Sequence, residues 1–386
     1  MKKKILFILN GLGKGGIVSS FSSLYDSIRE DYDIKVLVLS TNKTDNCPFG
    51  DDIISDNLLT SYNYPINTLN QKQKLLKLLL SPYRRIYAKI GVRLPNLILK
   101  NVVCRLQKKY KFDIVVGYSE GLPTLVASKF KVKKKISWIH CDYKRYYDTA
   151  CIKNDELGIY ENIDIINCVS KYTQDSFNKI YPSLKGKVQY IYNLYDIDRI
   201  KKLSLETIDD KRFKTDLFTI VSIGRVDPVK RFSEIPQIAA QLKKNGLKFR
   251  WYILGPETRH KEDLLLKERI LKYGVDDVVL WLGNKPNPYS YMAASNLYVC
   301  LSSSEACPMV FIEAKILGLP IVTTDFGSAY EFIHDGEGYI FNIKDLPHEI
   351  ERLVLNPLQM NQLKEHLNKT NYNNEKSIAQ LETLFK

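Results

Sequence analysis

Residues 296–328 read Asn-Leu-Tyr-Val-Cys-Leu-Ser-Ser-Ser-Glu-Ala-Cys-Pro-Met-Val-Phe-Ile-Glu-Ala-Lys-Ile-Leu-Gly-Leu-Pro-Ile-Val-Thr-Thr-Asp-Phe-Gly-Ser. The apolar run 297–301 predicts a buried strand, and 302–307 a polar turn. Pro308 suits a first helical turn, where its missing N–H costs nothing. The spacing predicts a helix over 309–317, ended by Gly318, and a second strand over 321–324. Together they form a strand–turn–helix–strand unit of a parallel sheet. Glu305 falls on the turn and Glu313 in the helix, so both carboxylates can reach the crevice at the carboxyl ends of the strands, where ligands of open α/β sheets bind. The amides of Met309, Val310 and Phe311 suit an anion there. A carboxylate between Ile312 and Ala314 asks for a partner such as a ligand hydroxyl or a cation. For two isolated acids, the plainer reading is a helix cap and a solvated surface group.

The surrounding string resembles the Glu–seven–Glu motif of retaining, nucleotide-sugar-dependent glycosyltransferases of family four. Ser302, Glu305, Pro308, Glu313, Ala314, Gly318, Pro320 and Thr324 match it, and Ala306 and Cys307 replace the usual Gly-Phe. The resemblance implies an α/β protein of GT-B fold, with two Rossmann-like doubly wound domains facing each other across a cleft. The expected division is an acceptor domain over 1–198, a nucleotide-sugar donor domain over 199–374, and a last helix, 375–386, packed back on the first domain.

Length and composition agree with two soluble domains. The chain has 386 residues, 45% hydrophobic and 26% charged. Seven cysteines without C-x-x-C or zinc spacing read as reduced thiols of a cytoplasmic protein. Lys2–Lys4 before a five-residue apolar run mimics a signal peptide, but a first strand fits better. The net charge of +14 is lopsided: residues 1–200 hold 32 Lys+Arg against 19 Asp+Glu.

Much of that excess lies in 71–111, with 12 cations and no acid, interleaved with leucines and isoleucines and divided by Pro82 and Pro95. Basic amphipathic helices of this kind fit an anionic membrane, as on the inner face of a cell membrane. Ordinary surface helices with solvated lysines are the alternative. No nucleic-acid motif accompanies the charge, so no nucleic-acid partner is expected.

In the first domain, 4–9 predicts a strand, 10–16 a glycine-bearing loop and 17–28 a helix. The spacing does not match a dinucleotide fingerprint. The resemblance implies that Gly15 and Gly16 lie where backbone approaches the donor phosphate. Residues 42–70 read as irregular. His140 follows a strand over 135–139, and the resemblance implies contact with the transferred sugar. Asp142 either orients it or caps the next segment. Asp196-Ile197-Asp198 matches Asp-x-Asp formally, but so does Asp31-Tyr32-Asp33. Both read as turn or cap residues, and no metal or other cofactor is expected.

The polar stretch 200–216 reads as the linker. Beyond it, Gly224-Arg225-Val226-Asp227-Pro228-Val229-Lys230-Arg231 sets Arg225 and Lys230 on either side of a tight turn. Two cations so placed can stabilise a diphosphate whose charge grows as a sugar departs. An exposed basic loop is the plain alternative, and the resemblance to the family's Gly-Arg-x-x-x-x-Lys pattern favours the functional role. The resemblance further implies base contacts near Gly283 and Asn284, ribose contacts to Glu313 and sugar contacts to Glu305.

The implied activity is retaining, metal-independent transfer of a hexosyl-type sugar. The donor is a UDP- or GDP-sugar and the acceptor a hydroxyl of a saccharide or lipid-linked molecule, in bacterial cell-surface polysaccharide synthesis. A nucleotide-sugar epimerase of the same fold is an alternative, as is a non-catalytic basic protein that binds membrane or nucleic acid.

Overall fold

The computed structural model describes residues 2–13, 15–39, 49–63, 69–89, 96–149, 156–258 and 261–386. The chain divides into two units, Met1–Leu194 with Glu375–Lys386, and Tyr195–Asn374. The first unit holds β1 (Lys4–Leu9), β2 (Asp33–Val38), β3 (Ile53–Ile54), β4 (Ile114–Gly117), β5 (Lys134–Ile139), β6 (Ile165–Cys168) and β7 (Val188–Tyr190). They form one parallel sheet in the order β3-β2-β1-β4-β5-β6-β7. The second unit holds β8 (Phe218–Ile223), β9 (Phe249–Leu254), β10 (Val279–Gly283), β11 (Leu297–Cys300), β12 (Ile321–Thr324) and β13 (Gly338–Phe341). Its parallel order is β10-β9-β8-β11-β12-β13.

Both sheets are read from unbroken apolar runs because parallel strands are covered on both faces. Ile5, Leu6, Phe7 and Ile8 on β1 are fully buried, as are Trp251, Tyr252 and Ile253 on β9. In each sheet the strand order reverses beside the first strand, between β1 and β4 and between β8 and β11. Such a reversal leaves a crevice at the carboxyl ends of the strands.

Several expectations change. The boundary falls between Leu194 and Tyr195, ahead of Asp198. All of the expected linker belongs to the second unit: Ile197–Ser204 is a helix, capped by Asp196 accepting from the Arg199 amide at 3.0 Å. Asp210 then ties the following stretch down through Arg212 and Lys285, each at 2.6 Å. Polar composition masked this segment because its charges are spent on pairs within the unit.

Within 42–70, β3 and the helix Asn57–Asn63 are regular. Asp56 caps that helix, accepting from Leu58 N at 2.9 Å, and pairs with Arg105 at 2.7 Å. The rest of the stretch, 42–48 and 64–68, lies outside the described residues.

Pro82 does not divide the basic region, because the helix Gln71–Lys89 runs through it; Pro95 lies outside the described residues. In the following helix, Asn96–Tyr110, Ile98, Leu99, Val102, Val103 and Leu106 are buried in the core of the first unit. Those side chains are therefore not available to a membrane. Leu75, Leu78, Leu79 and Leu97 are exposed. No described helix is long and apolar enough to cross a membrane.

Candidate active site

The second unit builds its site from three loops. At the end of β8, Gly224 donates its amide to Leu254 O at 2.9 Å, and Gly255 donates to Gly283 O at 2.9 Å. A Cβ on Gly255 would lie 1.7 Å from Gly224 O, so only glycine allows these strand ends to meet. Gly224, at φ 155°, has Lys230 Cε 3.2 Å from where its own Cβ would stand. The glycines thus let the loop after β8 fold tightly over the ends of its neighbours.

Asp227 shapes that loop. Its carboxylate accepts from the amides of Val229 and Lys230, both at 3.0 Å. Arg225 approaches Asp227 at 3.5 Å with its side chain 69% exposed. The Lys230 ammonium turns inward instead and pairs with Glu305 Oε1. Burial, the largest single influence, presses this ammonium towards neutrality, but the charge and hydrogen bond of Glu305 together with Cys300 and Asp227 outweigh it, so Lys230 titrates above the ordinary lysine value.

The turn after β11 meets this loop. Ser303 N donates to Val229 O at 2.8 Å, and the fully buried Ser302 donates its hydroxyl to Glu305 Oε1 at 2.6 Å. Ser328 donates to Glu305 O at 2.7 Å, and Thr324 to Ser302 O at 2.6 Å. Glu305 is therefore fixed at its backbone and at one carboxylate oxygen.

The helix Met309–Ile316 starts at Pro308. The Phe311 N–H is returned to Pro308 O at 3.0 Å, so it does not serve an anion as expected. Met309 and Val310 remain the candidate donors of that first turn. On the same helix Glu313 is buried. Burial pushes its carboxyl up to about 7, against a smaller downward pull from the Tyr289 hydroxyl, which donates to Oε1 at 3.3 Å. Gly283 stands at φ 75° at the end of β10, and Asn284 beyond it is exposed.

In the first unit, Gly15 caps the helix Gly16–Ile28, its carbonyl accepting from Ser19 N at 3.1 Å. His140 follows β5, and its ring lies against Tyr118 at 4.8 Å between centroids. Burial lowers its pKa to about 3, so the imidazole is neutral, and Nε2 has no hydrogen-bond partner among the described residues. The His140 amide donates to Glu120 at 3.0 Å. Asp142 behaves as a cap, accepting from Tyr172 and Ser176 hydroxyls at 2.9 Å each and from Arg145 N at 3.4 Å. Among the described residues no group of three or more His, Cys, Asp and Glu side chains is arranged to hold a metal ion.

The sequence singled out Lys230, Glu305, Pro308 and Glu313, and the second unit gathers them around one turn and helix. It passed over Tyr289 and Glu120. A tyrosine in a Pro-Asn-Pro-Tyr turn carries no pattern of its own, and Glu120 is linked to His140 only by the adjacency of β4 and β5.

Two parallel Rossmann-like sheets are the architecture of the GT-B fold. Residues 205–376 match the family described as Glycosyl transferases group 1. An uncharacterised glycosyltransferase of Methanocaldococcus jannaschii is 27% identical over 250 residues, 60% of each chain. The N-acetylgalactosamine-N,N'-diacetylbacillosaminyl-diphospho-undecaprenol 4-alpha-N-acetylgalactosaminyltransferase of Campylobacter jejuni is 31% identical over 180 residues, 46% of each chain. The chain thus aligns with about half of each relative's length. The crystal structure of Anabaena HepE in complex with UDP and glucose has the same fold, with a TM-score of 0.70 at 15% identity over 99% of each chain.

Proposed function

We propose that the protein transfers a sugar, of hexosyl type, from a nucleoside diphosphate to an acceptor hydroxyl with retention of anomeric configuration. The observation that carries this reading is the Lys230–Glu305 pair on the turn that leads into the Glu313 helix, within the stretch that matches group 1 glycosyltransferases. An ammonium has three donors, so Lys230 can keep Glu305 and still donate to a phosphate oxygen. With Arg225 and the amides of Met309 and Val310, it would counter the charge that grows on the leaving diphosphate. The held Lys230 and the nearby Arg225 support metal-independent chemistry, and activity that survives EDTA is the expected result.

Both donors to Glu305 use Oε1. Its Oε2 is the oxygen assigned to the donor sugar, Glu313 is assigned to the ribose hydroxyls, and Gly224 and the Gly283–Asn284 turn flank the nucleotide. His140, neutral and with an unpartnered nitrogen, can hydrogen-bond a sugar hydroxyl without adding charge. Gly15 and Gly16 leave backbone open to a phosphate. The bound UDP of the Anabaena protein supports UDP as the donor base, with GDP the alternative. The diphospho-undecaprenol substrate named for the Campylobacter relative supports a lipid-linked saccharide acceptor and a role in cell-surface polysaccharide synthesis.

A lipid-linked acceptor fits a peripheral position on the inner face of the cell membrane. The exposed Leu75, Leu78 and Leu79 beside Lys72 and Lys74 support contact with anionic lipid. Leu78→Glu together with Leu79→Glu should abolish sedimentation with anionic liposomes at unchanged melting temperature; undiminished sedimentation overturns the contact.

The central test is a thermal-shift screen against UDP-, GDP- and ADP-sugars. At least one should raise the melting temperature of the parent and fail to do so for Lys230→Ala. Absence of any shift, with no binding by calorimetry, overturns the donor reading, and an inverted product overturns retention.

A further inference from the structure

Glu313 has a neighbour that nothing so far explains. Tyr289 opens the short helix Tyr289–Ala293, and its hydroxyl reaches Glu313 Oε1 at 3.3 Å. Its backbone is held in place: Tyr289 N donates to Asn287 Oδ1 at 3.0 Å, and Asn287 Nδ2 donates to Leu203 O at 2.7 Å and to Glu206 at 2.9 Å. The chain before Tyr289 is thus pinned to the helix Ile197–Ser204 and the residues after it. A surface tyrosine would need no such bracing. A half-buried one that holds a buried carboxylate does, because the O–H must stay aimed.

We propose that Tyr289 is a positioning residue of the donor site, holding Glu313 by Oε1 so that its Oε2 is presented to the ribose hydroxyls of a nucleoside diphosphate sugar. This rests on the role given to Glu313 above. A carboxylate oxygen held by an O–H favours the ionised form, and only that form accepts two hydroxyl protons at once. Without Tyr289, burial alone would act on Glu313 and keep more of it protonated at neutral pH.

Among the described residues, few titratable groups face Glu313. Besides Tyr289 there are the hydroxyls of Tyr195 and Tyr298, both raised by burial first and by the Glu313 charge among lesser causes. Arg199 and Asp196 act on Tyr289 from the neighbouring helix with opposite sign. Lys315, on the Glu313 helix, is occupied by Glu337. None of these replaces the Tyr289 hydrogen bond.

The test is calorimetric binding of the nucleotide sugar selected by the screen, UDP-glucose first, on either side of pH 7. Its diphosphate, esterified at both ends, does not titrate near neutrality. For the parent, affinity should rise as pH passes through about 7. Tyr289→Phe keeps the ring and should move this midpoint up by about one pH unit, weakening binding roughly fivefold at pH 7 and little in alkali. In a Glu313→Gln background the same change should alter Kd less than about twofold. A midpoint identical to the parent's overturns the proposal. So does a loss equal at every pH and preserved in the Glu313→Gln background, which would mark Tyr289 as packing only. A parent that binds no nucleotide sugar overturns the donor reading itself, a separate result.

Discussion

At the residue scale, the two kinds of glycine separate sterics from ligand approach. A Cβ on Gly255 would overlap Gly224 O at 1.7 Å, whereas one on Gly15, whose φ of 173° is ordinary extended backbone, meets nothing within 4 Å. Gly255→Ala should cost about 2 kcal/mol or more in denaturant unfolding, since backbone cannot yield as a side chain does. Gly15→Ala should cost less than about 0.5 kcal/mol, yet it should lower transferase activity if phosphate approaches that backbone. Wild-type activity with wild-type stability would remove Gly15 from the site. Glu313 gives a pH signature. Its folded pKa of about 7 lies above the ordinary carboxyl value of 4.5. The folded state therefore holds this proton more tightly, and stability is fully present below pH 4.5 and lost as pH rises towards 7. At 1.36 kcal/mol per unit the loss is at most about 3 kcal/mol. Glu313→Gln abolishes it, so the variant should gain on the parent by up to that amount between pH 4.5 and 8, read by urea midpoints. A stability difference that does not change with pH would mean the carboxyl titrates normally.

At the scale of elements, the strand–turn–helix–strand unit over 296–328 was legible because each part announces itself. An apolar run gives the strand, Pro308 the helix start, and Gly318, at φ 66°, the helix end. What the pattern cannot carry is the partner of each buried charge. Lys315 reads as one more exposed helical lysine, yet it is 3% exposed and paired with Glu337, 6% exposed, from the turn before β13. Glu337 also accepts from His334 N at 2.9 Å and from the Tyr372 hydroxyl at 3.1 Å. A pairing of this range lies in tertiary packing, not in any window of sequence. Removing one partner leaves a charge buried without compensation, so Lys315→Met should cost about 3–5 kcal/mol. Lys315→Met with Glu337→Gln should recover most of it, because neither change then strands a charge. If the double variant is as unstable as the single, the pair acts through shape and not through charge.

At the scale of the whole molecule, the chain leaves its first unit at Leu194 and returns to it at Glu375. The return is marked locally, since Asn374 bridges Tyr195, donating to its carbonyl at 2.8 Å and accepting from its amide at 3.1 Å. Entry to the second unit and exit from it are thus one point. The last helix, Glu375–Phe385, then supplies the first unit with a core residue. Phe385 is fully buried, with ring centroids 6.0 Å from Phe7 on β1 and 5.8 Å from Tyr32. Lys3 and Lys134 donate to the helix's last carbonyls, at 3.3 Å to Phe385 O and 2.9 Å to Leu384 O. These two bonds use the cation just before β1 and the one that opens β5, so part of the excess positive charge serves as a helix C-cap. Phe385→Ala should cost about 3–5 kcal/mol, the range for an aromatic deleted from a core. The loss should be confined to one unit. In hydrogen exchange, amides of β1, β4 and β5 should lose protection in Phe385→Ala, while those of β8, β9 and β12 should keep theirs. Equal loss in both sheets would mean that the units unfold as one body, and that the tail's contacts stabilise the molecule and not the first unit alone.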